Sequence, residues 1–92
     1  MGFFRGPKSE LDPPPISKES GAREILRVWG GPNLPQQFAL NTTWSDAAAW
    51  GILLSDIARH AAKAYAGDKY TEQEALLRIR EGLNAEWPDE GK

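Results

Sequence analysis

The run of residues 24–65 constrains the fold of this chain more than any other part of the sequence. Two short segments in which the side chains alternate between faces, 25–29 and 37–41, stand on either side of the turn-rich segment 30–35, which contains Gly, Pro and Asn. Alternation is typical of β-strands, and the residues between the two segments favour a hairpin with a longer loop. An Ala-rich segment with helical periodicity follows, so the run predicts strand, turn, strand and helix in that order.

The alternation assigns the side chains of the hairpin to two faces. The face that we expect to be buried is formed by Leu26, Val28, Phe38 and Leu40. Ile25 and Trp29 fall on the opposite face, which an isolated two-stranded hairpin leaves open. Three candidates for covering it are the N-terminal arm, a second copy of the chain and another protein. A register slip of one residue would exchange the two faces.

The first predicted helix covers residues 46–66. Ser45 is its expected N-cap, the negative charge of Asp46 suits the helix dipole, and Gly67 fits the left-handed position that ends it. Apolar residues recur along it at helical spacing and form the stripe Trp50, Leu53, Leu54, Ile57, Ala58, Ala61 and Tyr65.

The second predicted helix begins at a capping box in which Thr71 is the N-cap and Glu74 its reciprocal partner. Pro88 stops it. Its expected buried stripe is Leu76, Ile79, Leu83 and Trp87. Because the connection at residues 67–70 is short, we expect the two helices to run antiparallel.

These elements predict an α+β fold in which a β-hairpin packs against an antiparallel helical pair, in the order β-β-α-α, with an irregular N-terminal arm. We expect one domain, at residues 23–88, because the chain is only 92 residues long. Residues 1–22 are expected to form a flexible, Pro-rich arm, and residues 89–92 a polar tail.

Composition excludes several classes of function. Cys is absent and His occurs once, which rules out thiol chemistry and the usual Cys/His zinc sites. The formal net charge is −2 with mixed signs, so no nucleic-acid surface is expected. No apolar run approaches the roughly 20 residues that span a bilayer. Neither glycine-rich phosphate motif is present. We therefore expect no cofactor, no metal and a cytoplasmic location.

Polar residues on the first helix form one candidate ligand site. Asp56 and His60 are four residues apart, and Arg59 lies on the same side of the helix, away from the apolar stripe. A carboxylate that orients an imidazole is half of a general-base arrangement. No nucleophile stands at a recognisable spacing, and the alternative interpretation is a solvated helix face with ordinary charge pairs.

The Trp residues supply the other candidates. Trp50 and Trp87 fit the helix stripes and are most simply explained as core. Trp44 precedes the predicted N-cap, where it can pack against the start of the helix. Together with Ile25 and Trp29, Trp44 is therefore a candidate interaction residue.

Several short strings resemble a small uncharacterised family of bacterial proteins. They are EILRVW at 24–29, PQQ at 35–37, TWSDAAAWG at 43–51 and DIARHAA at 56–62. The resemblance covers residues 24–87 and is associated with alphaproteobacteria. It implies a small cytoplasmic protein with a domain of unknown function that stands alone, and it implies no activity, cofactor or catalytic residue.

The sequence thus leads to two hypotheses from different classes. The first is a non-catalytic protein-interaction module that self-associates as a homodimer through its hairpin, or that binds another protein. The alternative is a small-molecule binder or minor enzyme that uses Asp56, Arg59 and His60.

Overall fold

The computed structural model describes residues 9–89. Its elements are a 3₁₀ helix at Pro15–Lys18, β1 at Leu26–Gly31, β2 at Leu34–Leu40, α1 at Ala48–Tyr65 and α2 at Glu72–Glu86. The predicted order of a hairpin followed by two helices is confirmed, and the fold is α+β with a short N-terminal arm. Residues 1–8 of the predicted arm and 90–92 of the predicted tail lie outside the described residues. The chain divides into two units, and the boundary along the sequence falls between Thr43 and Trp44.

The hairpin is tighter than the sequence predicted. The two strands continue to the pair Gly31 and Leu34, so the turn consists of two residues, Pro32 and Asn33, and the expectation of a longer loop is wrong. The strands pair Leu26 with Leu40 and Val28 with Phe38. Directly opposite residues point to the same face, so the predicted grouping of these four side chains is confirmed.

A bulge lets β2 accommodate a proline. Between the pairs Trp29–Gln37 and Gly31–Leu34, β1 contributes only Gly30, whereas β2 contributes two residues, Pro35 and Gln36. Proline has no backbone N–H to donate to the ladder, so it is tolerated where pairing is interrupted. A Cβ atom on Gly30 would lie 3.3 Å from Cγ of Gln36, which explains why glycine suits the strand opposite the bulge.

The arm belongs to the same unit as the hairpin. Its Pro15–Lys18 turn is closed by Ser17 N–H, which donates to the Pro14 carbonyl at 2.9 Å. Further along, Glu10 accepts from Nη1 of Arg27 at 2.6 Å, and Glu24 accepts from Nε of the same guanidinium at 3.0 Å. Arg27 on β1 thus holds two carboxylates, one of them from the arm.

The first helix starts later than predicted. Its N-cap is Ala47, which makes no side-chain hydrogen bond, so the assignment of Ser45 as N-cap is wrong. The carboxylate of Asp46 accepts the backbone N–H of Ala48 at 2.9 Å instead. An Asp two residues before a free helical N–H both accepts that bond and places negative charge at the positive end of the helix dipole.

The turn between the helices follows the sequence prediction closely. Gly67 has φ 91°, the left-handed conformation that costs glycine no Cβ clash, and its N–H donates to the Tyr70 carbonyl at 3.0 Å. The capping box is confirmed: Thr71 Oγ1 accepts from Glu74 N at 3.1 Å, and Glu74 Oε1 accepts from Thr71 N at 2.8 Å. The helices contact each other across this short connection, as an antiparallel pair does.

The predicted cores are largely exposed. Among the described residues only Ala62 of α1 and Ala75 of α2 are buried. The expected core residues that expose more than a third of their surface are Val28, Phe38, Leu40, Leu54, Ile57, Tyr65, Leu76, Leu83 and Trp87. In the part of each unit that the structure describes, only two elements contact each other, β1 with β2 and α1 with α2. An element that contacts a single neighbour covers only a narrow strip of its apolar face. Most of the apolar face of each element therefore stays exposed.

Candidate functional site

The three polar candidate residues on α1, Asp56, Arg59 and His60, form different contacts from those expected. The carboxylate of Asp56 accepts a hydrogen bond from the guanidinium of Arg59. His60 Nδ1 lies 2.9 Å from the backbone carbonyl of Asp56, which can only accept, so Nδ1 carries the proton. The carboxylate therefore does not orient the imidazole. All three side chains are exposed on the helix surface, where an ion pair contributes little to stability.

Metal binding receives no support from the described residues. Within residues 9–89, no group of three or more His, Asp or Glu side chains is placed to hold an ion. On α2, Glu81 accepts from Arg78 instead, and this hydrogen bond raises the pKa of the arginine. No helix in the same part of the chain has the length and apolar character needed to cross a membrane.

The three candidate interaction residues lie in both units. Ile25 and Trp29 are on the same face of the hairpin and are only moderately covered, with 37% of Trp29 exposed. Trp44 belongs to the helical unit, where its ring packs edge-on against Trp50 at 6.4 Å between centroids. The expected packing of Trp44 at the start of the helix is therefore observed, but through Trp50.

The arm and Trp29 line the same cavity. An open cavity of about 330 Å³ lies beside β1 and is lined by Ser9, Glu10 and Leu11 from the arm and by the strand from Leu26 to Gly30. Arg27 crosses this region, and its hydrogen bond to Glu24 raises its pKa, as does the charge of Glu10. The ion pair between Glu10 and Arg27 attaches the arm to the strand beside this cavity.

One largely exposed apolar surface is a surface that sequence reasoning assigned to the core. It is the hairpin's apolar face, defined as Leu26, Val28, Phe38 and Leu40. Val28 exposes 48% of its surface, Phe38 62% and Leu40 56%. A signal for this surface was present in the sequence, because no charged residue occurs from Gly30 to Ser45. Sheet edges that must stay single usually carry charges, so an uncharged strand of this length suits an interface.

The comparisons with known proteins agree with the fold. A family model described as "Domain of unknown function (DUF5076)" matches residues 10–90, which include part of the arm as well as both units. A solved structure from the photosynthetic bacterium Rhodopseudomonas palustrus is 38% identical and superposes with a TM-score of 0.69. The alignment covers 97% of this chain and 92% of that one, which is described as a "putative pyruvate dehydrogenase".

No curated protein matches the sequence. The family match extends over most of the chain, and the similar structure shares more than a third of its residues over nearly its whole length. The resemblance to an uncharacterised family is thereby confirmed. The chain belongs to the DUF5076 family, whose domain has no known function.

Proposed function

We propose that this domain is a non-catalytic protein-interaction module that self-associates through its hairpin. In this proposal residues 23–88 form the associating domain, residues 1–22 an arm and residues 89–92 a tail. The protein acts in the cytoplasm, in keeping with a chain that contains no Cys. The observation that carries the proposal is the exposure of the hairpin's apolar face, led by Phe38.

The hairpin cannot account for its own stability. An isolated two-stranded hairpin is marginal at best in water, and a third strand or a packed apolar face is needed to stabilise it. Here the sheet has two strands only, and Val28, Phe38 and Leu40 each expose about half of their surface or more. Covering these side chains would contribute about 25 cal/mol for each Å² removed from water. A second copy of the chain brings the same face and thus the required apolar surface.

The helical unit adds to the need for a partner. Its two buried residues are alanines, which contribute little apolar area, while Leu83 and Trp87 of the α2 stripe remain about half exposed. Proteins of this size bury only about 60% of their unfolded surface even when well packed. Association that covers apolar surface would supply stabilisation that the described contacts do not.

Catalysis has less support than association. The similar structure is described as a dehydrogenase, and such an activity needs a concave, water-excluding site with convergent polar groups. In this chain Asp56, Arg59 and His60 are exposed on a helix, and their contacts are local ones within four residues. No observation favours the ligand-binding alternative.

Sedimentation velocity over a wide range of concentrations tests the proposal. We expect the wild type to sediment as a dimer, and Phe38→Asp to sediment as a monomer because it places a charge on the apolar face. Ile52→Asp is the matched control: Ile52 is at least as exposed as Phe38 but lies on α1. A wild-type protein that stays monomeric at every concentration would refute self-association, and equal effects of the two substitutions would refute the role of the hairpin.

A further inference from the structure

The two edges of the hairpin present different main-chain groups. Asn41 N–H donates to the Ile25 carbonyl at 2.8 Å. This bond shows which of the alternating residue pairs along the antiparallel ladder are the hydrogen-bonded ones. With the observed register, Arg27–Ala39 is then a hydrogen-bonded pair, whereas Leu26–Leu40 and Val28–Phe38 are not. The N–H and C=O groups of Phe38 and Leu40 therefore point outward from the free edge of β2.

The two edges differ in what lies beside them in their own unit. Residues 9–11 of the arm line a cavity with five consecutive residues of β1, and Glu10 forms an ion pair with Arg27 there. The arm therefore lies beside β1. The edge of β2 carries no charged residue, and its one proline, Pro35, lies at the bulge near the turn.

We infer that two copies of this chain pair through the free edges of β2, antiparallel to each other, with the two-fold axis at Ala39. This inference rests on the proposed self-association and specifies its geometry. The bulge at Pro35 and Gln36 ends the regular ladder at residue 37, and the Asn41–Ile25 hydrogen bond extends it one residue beyond β2, so Ala39 is the centre of the regular segment 37–41.

The pairing satisfies the main-chain groups and joins the apolar faces. Phe38 of each copy forms a hydrogen-bonded pair with Leu40 of the second copy, so all four outward residues find partners. Opposite residues share a face, so Phe38 packs beside Leu40 of the second copy, and the two apolar faces lie side by side on a four-stranded sheet; the pairing covers the flanks of these side chains and leaves the face itself open. Gln37, Ala39 and Asn41 meet their counterparts on the other face without any charge, so no like charges are brought together.

Disulfide trapping tests the geometry cleanly because the chain has no native Cys. Ala39 would face Ala39 of the second copy as a non-hydrogen-bonded pair, with Cα atoms about 4.5 Å apart. A disulfide needs about 4.4–6.8 Å between Cα atoms. We expect Ala39→Cys to form a covalent dimer on mild oxidation. Gln37→Cys is the control: it lies on the same strand and face, but its two copies would be about 14 Å apart at 3.4 Å per residue.

A mixing experiment fixes the register independently. Gln37 of one copy would lie opposite Asn41 of the other, so a mixture of Gln37→Cys and Asn41→Cys proteins should give covalent heterodimers. Each variant alone should give none. Sedimentation of the reduced proteins shows whether the variants still associate.

The outcomes separate the two levels of the proposal. Rapid trapping of Ala39→Cys, together with heterodimers from the mixture, supports pairing about Ala39. Reduced variants that dimerise, but with Ala39→Cys trapped no faster than Gln37→Cys and no heterodimers, would overturn the edge geometry and leave self-association standing. A monomeric wild type would overturn both.

Discussion

Truncation of Phe38 should weaken self-association far more than truncation of an equally exposed residue elsewhere. An aromatic side chain buries roughly 200 Å², and Phe38 exposes 62% of its surface, which leaves about 120 Å² to be covered at about 25 cal/mol per Å². Complete coverage is worth about 3 kcal/mol per copy on that basis. Pairing along the β2 edge covers only the flank of the ring, and a cross-strand pair contributes up to about 1 kcal/mol. We therefore expect Phe38→Ala to lose about 1 kcal/mol per copy, or about thirtyfold in the dimer dissociation constant.

Sedimentation equilibrium of the wild type and Phe38→Ala measures this change directly. The matched control is Ile52→Ala, because Ile52 exposes 67% of its surface but lies on α1, outside the hairpin. In a protein that functions as a monomer, truncating either exposed side chain would change stability by no more than about 0.5 kcal/mol. A dissociation constant that changes less than tenfold for Phe38→Ala, or equally for both variants, would refute the reasoning.

Three further predictions concern the helical unit, each measured by thermal unfolding at one fixed protein concentration. Thr71→Ala should destabilise by about 1 kcal/mol because it leaves Glu74 N without its acceptor, whereas Thr71→Ser should be nearly neutral; equal losses would contradict the cap. Gly67→Ala should destabilise by about 1 kcal/mol since φ is 91°. Gly51→Ala should stabilise by about 0.5–1 kcal/mol inside α1, where a Cβ meets nothing within 4 Å. Changes of the same sign in the free energy of unfolding would contradict this reasoning. His60→Ala should stay within about 0.5 kcal/mol and leave sedimentation unchanged, and a larger effect would restore the polar face of α1 as a candidate site.

The elements that the sequence predicted correctly are those specified by neighbouring residues. The capping box needs only Thr71 and Glu74 in the right spacing, and Gly67 needs only its missing Cβ. The grouping of Val28 with Phe38 follows from alternation once the strands pair in register. Each of these features is a contact over a few residues or a periodic pattern, so the sequence alone is enough to predict it.

The wrong predictions of hydrogen-bond partners share one cause: two neighbouring groups can compete for the same bond. Ser45 and Asp46 can both cap a helix, and only the path of the backbone gives the bond to Asp46. Asp56 can reach Arg59 or His60. The guanidinium of Arg59 donates to the Asp56 carboxylate, whereas the imidazole of His60 donates to the Asp56 backbone carbonyl. Spacing along a helix indicates which side chains are neighbours, but not which of several neighbours forms the bond.

The sequence by itself determined the order of elements, the ends of the helical turn and the two faces of the hairpin, because those depend on local propensity and periodicity. The tertiary structure decided which apolar surfaces remain uncovered. Periodicity marks a side chain as apolar on one face, but burial requires another element to lie on that face. In the described part of each unit, β1 contacts only β2 and α1 only α2, so the hairpin's apolar face, predicted as core, is the surface on which a partner is expected.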